Sequence, residues 1–153
     1  MKAVIQRVKY AKVDVDGKTV GSIGEGYMIL VGVMQGDTEK EAETLARKTA
    51  NLRVFTDSED KMNLSILDID GEVLAISQFT LCADVKKGNR PSFINSAEPT
   101  EANRLYEYFC EQLKQNGVRK VEKGVFGAHM EVSLLNNGPV TILYDTDIWS
   151  GRG

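Results

Sequence analysis

Two short segments carry most of the chemistry this sequence can offer. Ser77-Gln78-Phe79-Thr80-Leu81 closes an apolar run, and Asn136-Asn137-Gly138-Pro139-Val140-Thr141 lies near the end of the 153-residue chain. Each puts hydroxyl, amide and backbone groups at the edge of what reads as a strand, where polar groups can converge on a small ligand without being fully buried. Ser77, Gln78, Phe79 and Thr80 together supply two hydroxyls, an amide and several N–H groups. If the chain leaves a sheet near Phe79, the N–H groups of Phe79 and Thr80 become free to bind an oxygen that turns negative in a transition state, a role worth roughly 3 kcal/mol per donor. Residue type alone also allows a plainer reading, with Phe79 and Leu81 in the core and Ser77 and Thr80 as ordinary polar strand residues.

A conventional triad finds little material here. His129 is the one histidine, and the small residues Gly127 and Ala128 before it speak for backbone packing. No Gly-x-Ser-x-Gly elbow is present. Thr80 is a weak nucleophile unless a base activates it, and none stands nearby in sequence. Cys82 and Cys110 are the only cysteines, expected as free thiols in a chain that needs no cross-link. With no close Cys/His cluster, no zinc site of the usual spacing is expected, and no motif asks for magnesium, so the sequence implies neither metal nor cofactor.

The chain reads as one domain over residues 1–150 with a frayed tail at 151–153. At 42% hydrophobic and 27% charged residues it falls in the range of soluble globular proteins, which argues against a disordered or fibrous class. The longest apolar run, Tyr27 to Met34, is too short to span a bilayer, and the N-terminus lacks the sections of a signal peptide, so a cytosolic location is expected. A net charge of −3 argues against coating nucleic acid by broad phosphate neutralisation. It leaves room for holding a nucleic-acid terminus: Lys86, Lys87 and Arg90 follow the Ser77–Leu81 segment closely, either to meet phosphates of a single-stranded end or as a solvated loop.

The elements that must position these groups are legible in outline. Ala11 to Asp16 alternates apolar and charged residues, Asp16-Gly17 supplies a tight hairpin turn, and Lys18 to Ile23 follows as partner strand. Tyr27 to Met34 reads as a strand buried on both faces. Thr38 to Glu41 has the spacing of a capping box, with Ala42, Leu45, Ala46 and Ala50 on one helical face. Ala102, Leu105, Tyr106, Phe109 and Leu113 define a second helix, opened near Pro99 and Thr100 and ended by Gly117. Leu52–Phe55, Val73–Leu81, Met130–Leu135 and Val140–Tyr144 read as strands. Met34 and Met130 are assigned to the core. Seven or eight strands with two helices predict an α+β domain, its mostly antiparallel sheets rolled toward a barrel with two main helices packed on one side.

The two polar segments, together with Met1-Lys2-Ala3-Val4-Ile5-Gln6-Arg7-Val8, Gly124-Val125-Phe126-Gly127-Ala128 and the overall length, resemble the D-aminoacyl-tRNA deacylases. The resemblance spans nearly the whole chain and implies a barrel-like fold of the kind just described. It implies hydrolysis of the ester joining a D-amino acid to the terminal adenosine of tRNA, with Ser77, Gln78, Phe79 and Thr80 lining the site that receives that adenosine and ester. It further implies that Gly138 and Pro139 form a cis peptide reaching into the active site of the other subunit, so that the working unit is a homodimer and the partner is an aminoacyl-tRNA 3′ end.

With the substrate's ammonium and ester both pinned, the Cα hydrogen and side chain of the two enantiomers exchange places. A main-chain wall then excludes the L form, and glycine passes for lack of a side chain to reject. Arg7 matches an arginine in the family's opening strand and reads equally as a brace for this wall or as a surface salt bridge. Phe126 reads as a stacking wall for adenosine or aminoacyl group, or as core. The substrate's own ribose hydroxyl beside the ester can orient or activate water, making Thr80 and Gln78 placement residues. The rival is a non-catalytic module that holds tRNA ends or nucleotides in the same pocket; a purely structural dimerisation domain leaves the polar strand ends without a purpose.

Overall fold

The computed structural model describes residues 1–150; the tail expected at 151–153 lies outside the described residues. Strand β1, Lys2–Val15, is the spine of the molecule. Asp16 and Gly17 take φ angles of 51° and 77° and turn the chain into β2, Lys18–Ile23, as the Asp-Gly pair predicts. Next come β3, Gly26–Gly32; α1, Glu39–Asn51; β4, Phe55–Thr56; β5, Met62–Leu64; β6, Glu72–Ser77; and a one-turn 3₁₀ helix, Phe79–Cys82. The chain continues through α2, Pro99–Gln115; β7, Lys120–Lys123; β8, Glu131–Asp145; and a short α3, Asp147–Ser150.

The main sheet runs β2-β1-β3-β6-β7, with β8 on the other edge of β1. The first half of β1 pairs antiparallel with β3, Ile5 opposite Ile29, and its second half with β2, Ala11 opposite Ile23. β3–β6 and β6–β7 are parallel. The strands are therefore mostly antiparallel in a mixed sheet, which curls until the Ser22 N–H lies 3.4 Å from the Glu122 carboxylate on β7. Glycine makes the close approach of β3 and β6 possible: a Cβ at Gly26, where φ is 157°, would fall 1.8 Å from the Glu72 carbonyl oxygen.

Period-two alternation sorts the side chains. Tyr27, Ile29 and Val31 of β3, with Val73 and Ala75 of β6, face the helices in the larger core. Met28, Leu74 and Ile76 face inward, with Val8, Ala11, Val13 and Ile23, in a smaller one. The capping box of Thr38 and Glu41 opens α1, which buries Ala42, Leu45, Ala46 and Ala50. Pro99 stands at the start of α2, which buries Leu105, Tyr106, Phe109 and Leu113, and Gly117 follows its end at φ 108°. Both helices join the larger core, giving the expected barrel-like α+β domain with two main helices on one side.

Five expected strands differ in extent. Only Phe55 of Leu52–Phe55 is in a strand: Leu52 caps α1, and the Val54 carbonyl accepts from the Arg7 guanidinium instead of joining a ladder. The strand expected over Val73–Leu81 ends at Ser77, because the chain winds into the 3₁₀ helix. Met130–Leu135 and Val140–Tyr144 are parts of the single strand β8, with register shifts opposite Gln6, Val8 and Tyr10 absorbing the turn-like residues between them. The strand in Tyr27–Met34 stops at Gly32, and Met34 is half-buried, its N–H donating to the Asp37 carboxylate. Met130 is half-buried too, packed against the smaller core. The short strands β5 and β7 carry no clear alternation, so no local pattern in the sequence marks them.

Candidate functional site

The site begins where β6 ends. Gln78 donates its N–H to the Val31 carbonyl at 2.7 Å, a last ladder bond, and the next residues turn out of the sheet. Leu81 N–H reaches back to the Gln78 carbonyl at 3.3 Å. The N–H groups of Phe79 and Thr80, first in the 3₁₀ helix, have no acceptor among the described residues. The helix can sit this close to β3 because position 32 is glycine: a Cβ there would lie 2.9 Å from the Leu81 Cβ and 3.1 Å from the Cys82 Sγ.

Gln78 and Thr80 are linked, the Gln78 side-chain amide donating to the Thr80 hydroxyl oxygen. A donor on that oxygen draws electron density away from it, the opposite of what a general base does for a nucleophile. No carboxylate or imidazole is hydrogen-bonded to Thr80 among the described residues. His129 is exposed at the rim of the neighbouring cavity and makes no hydrogen bond in the described chain.

That cavity has a volume of about 480 Å³. Ser77, Gln78 and Phe79 form one wall and Phe126 to Met130 another, while Ala97, Pro99 and Ala102 at the start of α2 close a third side. The lining is largely apolar with a few polar groups on one edge, the usual make-up of a small-molecule site. Phe126 is half-buried against the larger core and also lines the cavity. Phe79 is 53% exposed, its ring packed edge-on to Phe93 at 4.8 Å between centroids, which rules out the core position that residue type alone suggested. Thr80 is exposed beside the cavity rather than lining it. The α2 wall has no signal in the sequence: Pro99 reads as a helix start, but nothing local places it opposite Ser77.

Gly138 and Pro139 are exposed on β8 and line no part of this cavity. Their peptide bond is cis. Arg7, only 9% exposed, donates through Nε to the Asn137 carbonyl at 2.8 Å and through Nη1 to the Val54 carbonyl at 2.6 Å. Its partners are carbonyls and the Thr56 hydroxyl, so it is a buried brace and no surface salt bridge. Lys86, Lys87 and Arg90 are exposed on a hairpin closed by reciprocal bonds between Asp84 and Ser92. Cys82 and Cys110 are buried free thiols, and burial pushes that of Cys110 up to about 12. No group of three His, Cys, Asp or Glu side chains among the described residues is placed to hold a metal ion, and no helix among them is long and apolar enough to cross a membrane.

Residues 4–145 match the family model for D-Tyr-tRNA(Tyr) deacylase. The chain belongs to that deacylase family. A Caldicellulosiruptor bescii protein named D-aminoacyl-tRNA deacylase is 60% identical over 146 residues, covering 95% of this chain and 97% of its own. A solved structure of a c-Myc DNA Unwinding Element Binding Protein superposes with a TM-score of 0.89 at 44% identity, over 95% of this chain and 98% of that one. A second, described as a probable eukaryotic D-amino acid tRNA deacylase, shares the fold at a TM-score of 0.80 and 18% identity, over 94% and 97%. This member of the deacylase family thus shares its fold with those structures over nearly the whole chain.

Proposed function

We propose that this protein is an ester hydrolase that cleaves D-amino acids, and glycine, from the 3′ adenosine of tRNA, acting in the cytoplasm as a check on the chirality of amino acids entering translation. The observation that carries this reading is the pair of unpartnered N–H groups at Phe79 and Thr80, set on the lip of a cavity of about 480 Å³. The name of the Caldicellulosiruptor bescii relative supplies the substrate class.

The apolar cavity receives the terminal adenosine against Phe126. The ester carbonyl is directed at Phe79 and Thr80, whose N–H groups stabilise the oxyanion by roughly 3 kcal/mol each. Water adds to the carbonyl carbon, and the bond to the ribose oxygen then breaks. The proton given up by the water goes to that oxygen by way of the neighbouring ribose hydroxyl. Ser77, Gln78 and Thr80 position the ester and water. The donor already bound to the Thr80 oxygen favours this RNA-assisted route over a Thr80 nucleophile.

Selection against L esters falls to Gly138 and Pro139 of a second copy. Both are exposed and stand outside their own chain's cavity, on a strand that pairs with β1 alone among the described residues and exposes Leu135 and Leu143. A homodimer would cover those residues and complete each site with main chain from its partner.

Release of tyrosine from D-tyrosyl-tRNA and L-tyrosyl-tRNA, measured side by side, tests the reading. Rapid loss of the D ester alone supports it; binding of tRNA with neither ester cleaved gives the protein to the rival class of silent tRNA-end binders.

A further inference from the structure

We propose that the hairpin spanning residues 84–92 is an arm that binds the phosphates of the single-stranded tRNA end leading to the terminal adenosine, with Lys86, Lys87 and Arg90 as the contacting groups. The assignment rests on the deacylase reading for its ligand and on the following geometry for its place.

The hairpin is built to hold its cations outward. Asp84 and Ser92 exchange backbone bonds at 2.7 and 2.9 Å, and the Asp84 carboxylate accepts the Lys86 backbone N–H at 2.9 Å. Gly88 takes φ 63° in the turn between them. All three basic side chains are exposed, and none forms an ion pair or side-chain hydrogen bond among the described residues. Several other surface cations are held in ion pairs: Arg104 by Glu39 and Glu101, Arg119 by Asp70 and Glu72, Lys123 by Glu107. In a chain of net charge −3, three exposed cations without an ion pair within five residues are a local concentration of positive charge, and a polyanion would find its footing there.

The hairpin is also fastened to the site. It leaves the 3₁₀ helix directly, with the Ala83 N–H bonded to the Thr80 carbonyl at 3.2 Å, and it returns through Phe93, whose ring packs on Phe79 at the cavity wall. A terminal nucleoside in the cavity would leave its preceding phosphates beside this arm. Each phosphate neutralised on a single strand contributes a slope of about −0.7 to the dependence of log affinity on log salt, so three contacts contribute about −2.

The test compares wild type with a combined Lys86→Gln, Lys87→Gln, Arg90→Gln variant, binding deacylated tRNA with its 3′ end either intact or trimmed of its unpaired nucleotides. The wild-type salt slope should flatten by about 2 on trimming, and the variant should show the flattened slope with both RNAs. Equal slopes for variant and wild type on intact tRNA would overturn the assignment. Cleavage then separates this assignment from the parent reading: the variant should raise KM on D-tyrosyl-tRNA far more than on D-tyrosyl-adenosine, which lacks the upstream phosphates. An equal rise on both would show that the hairpin merely supports the cavity. If wild type cleaves neither ester while the binding slopes behave as expected, the deacylase reading fails and the phosphate arm stands.

Discussion

Arg7 and Asn137, 130 residues apart in sequence, are joined by a 2.8 Å hydrogen bond from the guanidinium Nε to the backbone carbonyl. The same guanidinium holds the Val54 carbonyl at 2.6 Å, so one side chain ties the bulged part of β8 to the loop after α1. Arg7→Leu would leave both carbonyls without their donor, at about 1–3 kcal/mol for each one cut off from water. For a chain of this length a loss of about 3 kcal/mol lowers the unfolding midpoint by about 10 °C. Arg7→Lys should recover only part of it, since an ammonium lacks the planar fork that reaches both oxygens. A Leu variant melting with wild type in a thermal scan would contradict the brace.

Gly138 leaves little room for a side chain. At φ 130° an L residue is strained, and an added Cβ would sit 2.9 Å from the Arg7 Nη2 and 3.2 Å from the Val140 nitrogen. Gly138→Ala should cost about 1–3 kcal/mol and displace the 137–139 segment. On the proposed function the displaced wall discriminates poorly, so the ratio of D-ester to L-ester cleavage should fall by more than the D-ester rate itself. A ratio left at the wild-type value would sink the assignment of the chiral filter to this segment.

Thr80 separates the two chemical routes. Loss of a covalent nucleophile costs on the order of 10⁶ in kcat, whereas loss of a placement residue costs far less. Thr80→Ala should slow D-tyrosyl-tRNA cleavage by about tenfold to a hundredfold, because the N–H groups of Phe79 and Thr80 are backbone and survive the change. Single-turnover rates near background would instead restore the nucleophile.

The two thiols should be silent in the native protein. Cys82 and Cys110 are both buried, and desolvation raises each thiol above its ordinary value of 9.0, Cys110 to about 12. The fold thus favours the protonated form. Its contribution is fully present below pH 9 and is lost as the pH rises toward about 12, because the unfolded chain can shed these protons first. A disulfide reagent at pH 8 should titrate both thiols after denaturation and neither before it; fast reaction of native Cys110 would show that its surroundings open readily.

Local signals in the sequence were enough for the hairpin at Asp16-Gly17, the capping box of Thr38 and Glu41, and the helical stripe from Ala102 to Leu113, because each rests on the chemistry of residues a few positions apart. Ser77 to Thr80 was visible as a polar strand end for the same reason. What no local rule contains is where a strand stops when its partner lies far away in the chain. Val73–Leu81 reads as continuous until the Val31 carbonyl takes the Gln78 N–H and the next two N–H groups are left without acceptors.

The sequence by itself determined the α+β class, the free thiols and the residue types available for catalysis, since period, turn chemistry and composition are properties of neighbours. Tertiary structure alone decided that Phe126 and Pro99 face Ser77 across one cavity, that Arg7 is a buried brace, and that Gly138 and Pro139 stand outside their own chain's pocket. Those relations depend on which distant strands share hydrogen bonds and on how far the sheet curls. Both follow from the packing of the whole core, which no short stretch of chain encodes.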